Sequence, residues 1–193
     1  MKNKKTFFSI ALVFVLLIGG ATVLYRQLGK NITAEQLTTQ NTNQSDESAA
    51  GETEQKIKAP DFTVYDTDGN EVHLADYIGK PIVLNFWASW CGPCQSEMPD
   101  FHEKYLELGD DVHFLMINMT DGARETVESA SAFIAKNGYA FPVFYDTKSD
   151  AASIYGAYSL PTTFFIDADG YAIAQATGAI DAETLQRGLD MIK

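Results

Sequence analysis

The stretch Phe86-Trp87-Ala88-Ser89-Trp90-Cys91-Gly92-Pro93-Cys94 decides the fold. It follows Ile82-Val83-Leu84-Asn85-Phe86, a nearly continuous apolar run suited to a strand buried on both faces. A helix is expected from Gly92 to Leu108, with Pro93 in its first turn and a bend at Pro99, which lacks the N–H for the Gln95 carbonyl. The only two cysteines of the chain thus lie three positions apart where a buried strand gives way to a helix. The Cys91 sulfur would sit at the helix N-terminus, where unpaired N–H groups and the dipole stabilise a thiolate. Cys94 falls inside the first turn and can close a small ring with it. One accessible nucleophile and one resolving thiol make a reversible two-electron switch.

Other uses of the pair are weaker. A zinc site needs two more ligands, and His73, His102 and His113 are the only histidines. Covalent haem attachment needs His after the second cysteine, where Gln95 stands. A structural disulfide over so short a loop removes little chain entropy.

Working outward, the segments read as alternating strands and helices. Phe62–Val64 and Val72–Leu74 form a short hairpin around Asp66–Asn70. Val112–Ile117 is a second buried strand, and Arg124–Asn137 a helix closed by Gly138. Phe141–Tyr145 is a short strand, and Ala151–Tyr155 a helical turn. Thr162–Ile166 and Tyr171–Ala174 flank the turn Asp167-Ala168-Asp169-Gly170. Asp181 caps a last helix, Ala182–Ile192. This order predicts an α/β sandwich with helices on both faces of the sheet.

The N-terminal third is different. Lys2, Lys4 and Lys5 precede an uncharged, mostly apolar run from Phe7 to Tyr25, long enough to span a bilayer. Cations before the run and few after it favour an N-terminus that stays in the cytoplasm, and everything after Arg26 would then lie outside. Gly19-Gly20-Ala21 offers a signal-peptidase site, but the run continues past it, which favours an uncleaved anchor over residues 1–28. Residues 29–58 read as a flexible polar linker, rich in Thr, Gln, Asn, Ser and Glu, and 59–193 as the folded domain.

Among 193 residues, 14 Lys+Arg stand against 26 Asp+Glu; residues 59–193 alone hold 7 and 21. That balance argues against nucleic acid as a partner, because phosphate contacts need clustered cations. Self-repulsion favours a soluble, monomeric domain.

The Phe86–Cys94 stretch resembles the thioredoxin active site, and Leu160-Pro161-Thr162-Thr163-Phe164 resembles the loop with that family's cis-proline. Gln95-Ser96-Glu97-Met98-Pro99, Asn118 to Asp121 and the anchor resemble the TlpA/ResA-like exported thiol-disulfide oxidoreductases. The resemblance implies a thioredoxin fold, with a central mixed sheet, over Ala59–Lys193. It implies Cys91 as attacking and Cys94 as resolving thiol, forming a redox-active disulfide. Trp90, Gly92, Pro93, the Leu160 backbone and Pro161 would bind an extended substrate segment. No organic cofactor or metal is implied.

Ordinary thioredoxins carry a buried Asp where this chain has Asn85, which cannot titrate. The proton acceptor for Cys94 must lie elsewhere. Asp121, which matches the subgroup's acid after a strand end, is one candidate. Glu97, one turn from Cys94 on the same helical side, is the other.

The resemblance further implies electrons from an integral-membrane thiol transporter of the CcdA or DsbD type. It implies targets such as disulfides of apocytochrome c, a methionine sulfoxide reductase or another exported protein. A dithiol oxidase uses the same motif in the opposite direction, because direction depends on potential and electron supply. A redox-silent copper-binding module is the alternative of another class, although the cysteine spacing and the absence of a nearby His weigh against it.

Overall fold

The computed structural model describes residues 37–39 and 56–193. The proposed anchor and most of the 29–58 segment lie outside the described residues. Among the described residues no helix is long and apolar enough to cross a membrane.

The strands, in chain order, are β1 (Leu37–Thr39), β2 (Ile57–Lys58), β3 (Thr63–Tyr65), β4 (Glu71–His73), β5 (Ile82–Trp87), β6 (His113–Asn118), β7 (Val143–Tyr145), β8 (Thr162–Ile166) and β9 (Tyr171–Thr177). The helices are α1 (Gly92–Leu108), α2 (Val127–Asn137), α3 (Asp150–Tyr155) and α4 (Ala182–Ile192), with a 3-10 turn at Leu74–Tyr77. The strands form one mixed sheet in the order β1-β9-β8-β5-β6-β7-β3-β4, with β2 also on β9. β5, β6 and β7 are parallel, and β8 runs antiparallel to β5. This is the α/β sandwich that the strand–helix alternation predicts, arranged as the thioredoxin fold that the resemblance implies.

Residue parity along β5 sorts the core into two layers. Val83 and Trp87 join Met98 and Phe101 of α1, Ala130 of α2, and Leu185 and Leu189 of α4. Ile82, Leu84 and Phe86 join Leu74, Leu115, Ile117, Phe144, Phe164 and Ala151 of α3. Burial on both faces explains why β5 is apolar throughout rather than alternating. Asn85 shares the parity of Val83 and Trp87, so this buried amide faces the α1 side. On α4, Gly188 lies so close to the Phe165 ring of β8 that a Cβ there would overlap it.

α1 spans Gly92–Leu108 as expected, with Pro99 inside it. Several other boundaries differ from the sequence reading. α2 starts at Val127 rather than Arg124, because Thr126 is its N-cap and forms a reciprocal capping box with Ser129. Within the segment read as a linker, Leu37–Thr39 and Ile57–Lys58 pair antiparallel with β9. These ladder bonds come from the backbone, so the polar composition gave no sign of them; they cover an edge that β9 would otherwise expose.

Candidate active site

The candidate active site forms where the C-terminal end of β5 meets α1. The chain leaves the sheet after Trp87, turns through Ala88–Trp90, and enters α1 with Cys91 as N-cap. Cys91 and Cys94 form a disulfide. The Cys94 N–H donates to Cys91 Sγ at 3.2 Å, one of the donors left free at a helix start. In the reduced protein that donor and the helix dipole favour negative charge on Cys91. Cys91 keeps a little exposure at 5%, whereas Cys94 is fully buried.

A cleft of about 520 Å³ opens in front of Cys91. Its lining brings together Trp90, Cys91, Gly92, Pro93, Asp121 and Leu160 of the residues expected from sequence. The Leu160–Pro161 bond is cis, as the resemblance implied, and Pro161 is buried at the start of β8. Met119, Arg124, Ala157 and Tyr158 complete the wall. Trp90 is 41% exposed and Tyr158 82%, so the rim is aromatic and wet.

The two candidate acids have different surroundings. Glu97 is buried under α1. Asn85 Nδ2 donates to its Oε1 at 2.9 Å, and the Ile180 N–H donates to its Oε2 at 3.0 Å. Asn85 also donates to Thr163 Oγ1 at 3.0 Å across the β5–β8 pair. Burial pushes the Glu97 carboxyl up to about 7, with Asp100 adding to the rise and the two donors opposing it. A carboxyl near 7 gains and loses its proton around neutral pH, and this one stands three residues after Cys94 on α1.

Asp121 is exposed, and its Oδ1 accepts from the N–H groups of Ala123, Arg124 and Glu125 at 2.8–2.9 Å. Those backbone donors hold its carboxyl below the ordinary range. Geometry therefore makes Asp121 the organiser of the 121–125 loop, and a poor proton acceptor at neutral pH.

That loop carries a buried acid that sequence reasoning missed. Glu125 is fully buried. Its carboxylate accepts from the Ser89 N–H (2.8 Å), Ser89 Oγ (2.7 Å) and Asn118 Nδ2 (2.7 Å). Gln95 Nε2 also donates to the Ser89 carbonyl. The turn before Cys91 is thus tied to the end of β6 and to the approach to α2. Lying just before a helix start, Glu125 looks from sequence like an ordinary first-turn acid, and nothing in its neighbours announces its burial.

The pattern of the AhpC/TSA family matches residues 56–174. A thiol-disulfide oxidoreductase ResA of Geobacillus thermodenitrificans is 37% identical over 136 residues, covering 70% of this chain and 76% of that protein. The chain belongs to the AhpC/TSA family and to its ResA-like thiol-disulfide oxidoreductases. Solved members of this thioredoxin-fold group superpose on it. A DsbF homologue from Corynebacterium diphtheriae gives a TM-score of 0.64 at 27% identity, covering 79% of this chain and 98% of its own. The pneumococcal exposed lipoprotein thioredoxin Etrx1 from Streptococcus pneumoniae gives 0.57 at 33% identity, covering 68% and 99%. As a ResA-like enzyme, the chain is a thiol-disulfide oxidoreductase, and it carries the Cys91–Cys94 disulfide at the head of α1.

Proposed function

We propose that this ResA-like oxidoreductase works outside the cytoplasm, held to the membrane by its first 28 residues, and reduces disulfides in exported proteins. The observation that carries the chemistry is the Cys91–Cys94 pair with the Glu97 carboxyl, poised near 7, one helical turn behind Cys94. The Cys91 thiolate attacks one sulfur of the substrate disulfide. A mixed disulfide forms, and the first substrate thiolate leaves and takes a proton. Cys94 then gives its proton to Glu97 and attacks Cys91 Sγ. The second substrate thiolate leaves, and the enzyme disulfide closes. Two electrons pass from the enzyme dithiol to the substrate, which becomes a dithiol.

Leu160 and the cis-Pro161, beside the Cys91 cleft, suit an extended substrate segment lying across the disulfide. The exported setting is supported by the Lys2, Lys4 and Lys5 cluster ahead of the Phe7–Tyr25 run and by the name of the similar pneumococcal lipoprotein. The ResA resemblance supports apocytochrome c or a methionine sulfoxide reductase as target, and a CcdA- or DsbD-type membrane donor as the source of electrons. The domain's negative charge supports action as a monomer.

The test is the redox state of the pair in intact cells, read by acid quenching and mass-tagging of free thiols. A reductase is held mostly reduced by its donor. A mostly oxidised pair would overturn reduction in favour of disulfide formation.

A further inference from the structure

The rim of the cleft holds one cation. The Arg124 guanidinium lies over the Trp90 ring, with Cζ 3.5 Å from the ring centroid. Both side chains line the same cleft as Cys91 and Leu160. No carboxylate lies within 4 Å of the Arg124 guanidinium among the described residues. The other charged group of the lining is Asp121, which feels the charge of Arg124 but spends its Oδ1 on three backbone N–H groups. Stacking uses the face of the guanidinium and leaves its edge donors free. Those donors form a planar fork that matches a carboxylate. Trp90 also restricts the long side chain, so less rotamer entropy is lost when the fork is used.

We propose that Arg124, stacked on Trp90, is a specificity-determining residue that binds the carboxylate of an Asp or Glu beside the substrate's reacting disulfide. The proposal rests on the disulfide-exchange reading of the site and narrows its substrates. The substrate segment runs past Leu160 with its disulfide at Cys91, and its acidic side chain reaches the Arg124 fork at the cleft edge. The domain as a whole is strongly acidic, with 7 Lys+Arg, Arg124 included, against 21 Asp+Glu over residues 59–193. Long-range charge therefore favours basic peptides, and a preference for acidic ones must come from a local cation. Solvent screening keeps the effect modest, and an exposed pair changes a rate constant by about fivefold at most.

The test uses the full-length reduced protein in non-ionic detergent at low salt. Three peptides share one intramolecular disulfide and differ only in Asp, Asn or Lys beside it. Second-order rate constants come from acid-quenched, alkylated samples counted by mass. Wild type should react roughly threefold to fivefold faster with the Asp than with the Lys peptide, and high salt should erase the difference. Arg124→Gln should abolish that order, Arg124→Glu should reverse it, and Arg124→Lys should restore it in part. An Asp-to-Lys ratio near one or below in wild type would overturn the proposal. So would a ratio unchanged in Arg124→Gln, or a loss in that variant shared equally by all three peptides, which marks a role only in shaping the cleft. Wild-type protein inert toward every peptide would instead reject the exchange reading itself.

Discussion

Asn85 and Glu97 meet across the sheet–helix interface, with Asn85 Nδ2 donating to Glu97 Oε1 at 2.9 Å. The amide stands where ordinary thioredoxins keep an ionisable Asp, and here it cannot hold a proton. It presents its donor side to the carboxyl, while its Oδ1 is buried and meets no donor among the described residues. The ionisable group of this pair therefore lies on the facing helix and not on the strand. The strand residue has become a neutral hydrogen-bond donor that offsets part of the cost of burying the acid.

This arrangement predicts a pH dependence for the resolving step. Release of the substrate from a mixed disulfide at Cys91 should accelerate as pH rises through about 7, because Glu97 must be ionised to accept the Cys94 proton. Glu97→Gln should remove that rise and slow resolution by roughly a hundredfold. Asp121→Asn should keep the wild-type profile, since that acid stays ionised throughout the range. Single-turnover kinetics with a preformed mixed disulfide measure both. A flattened profile in Asp121→Asn with an intact one in Glu97→Gln would move the role to Asp121.

Stability carries the same signature. A carboxyl raised from 4.5 to about 7 by folding binds its proton more tightly in the folded state. Its contribution is complete below about pH 4.5 and is lost as pH climbs through about 7, by on the order of 3 kcal/mol at most. The oxidised protein should therefore lose denaturant resistance between pH 5 and 8, and Glu97→Gln should lose much less. Urea titrations at several pH values check this. Equal slopes for the two proteins would show that Glu97 titrates normally.

The division of labour between the thiols predicts a trapping asymmetry. Cys94→Ser should accumulate mixed disulfides through Cys91, because the intramolecular escape is gone. Cys91→Ser should accumulate almost none, because Cys94 is fully buried. Non-reducing gels of alkylated cell extracts compare them. Equal trapping by both variants would contradict the assignment.

At Gly188 the limit is steric. A Cβ there would run into the Phe165 ring, which is itself fully buried. Gly188→Ala should gain helix propensity yet still destabilise the domain by about 1–3 kcal/mol through overpacking. Thermal melts of the oxidised protein measure it, and a raised Tm would show that α4 shifts freely on the sheet.

Local chemistry made much of this protein legible from residues alone. The apolar run of β5, the Cys91–Cys94 spacing and the Asp167–Gly170 turn each act within a few positions, so they specified strand, redox helix and hairpin without reference to the rest of the chain. Asp181 and Gly138 marked helix ends for the same reason. The choice between Glu97 and Asp121 was not available at that level. Both are acids a short distance from a strand or helix end, and their spacing to Cys94 says nothing about solvent. Only folding buries Glu97 between α1 and the sheet and leaves Asp121 outside, wrapped in its own backbone donors. Glu125 and Arg124 are adjacent in sequence, yet one is fully buried against Ser89 and the other lies exposed on Trp90. Burial and partner choice are properties of segments far apart in the chain, and desolvation, which sets the pKa of a carboxyl, exists only once those segments have met.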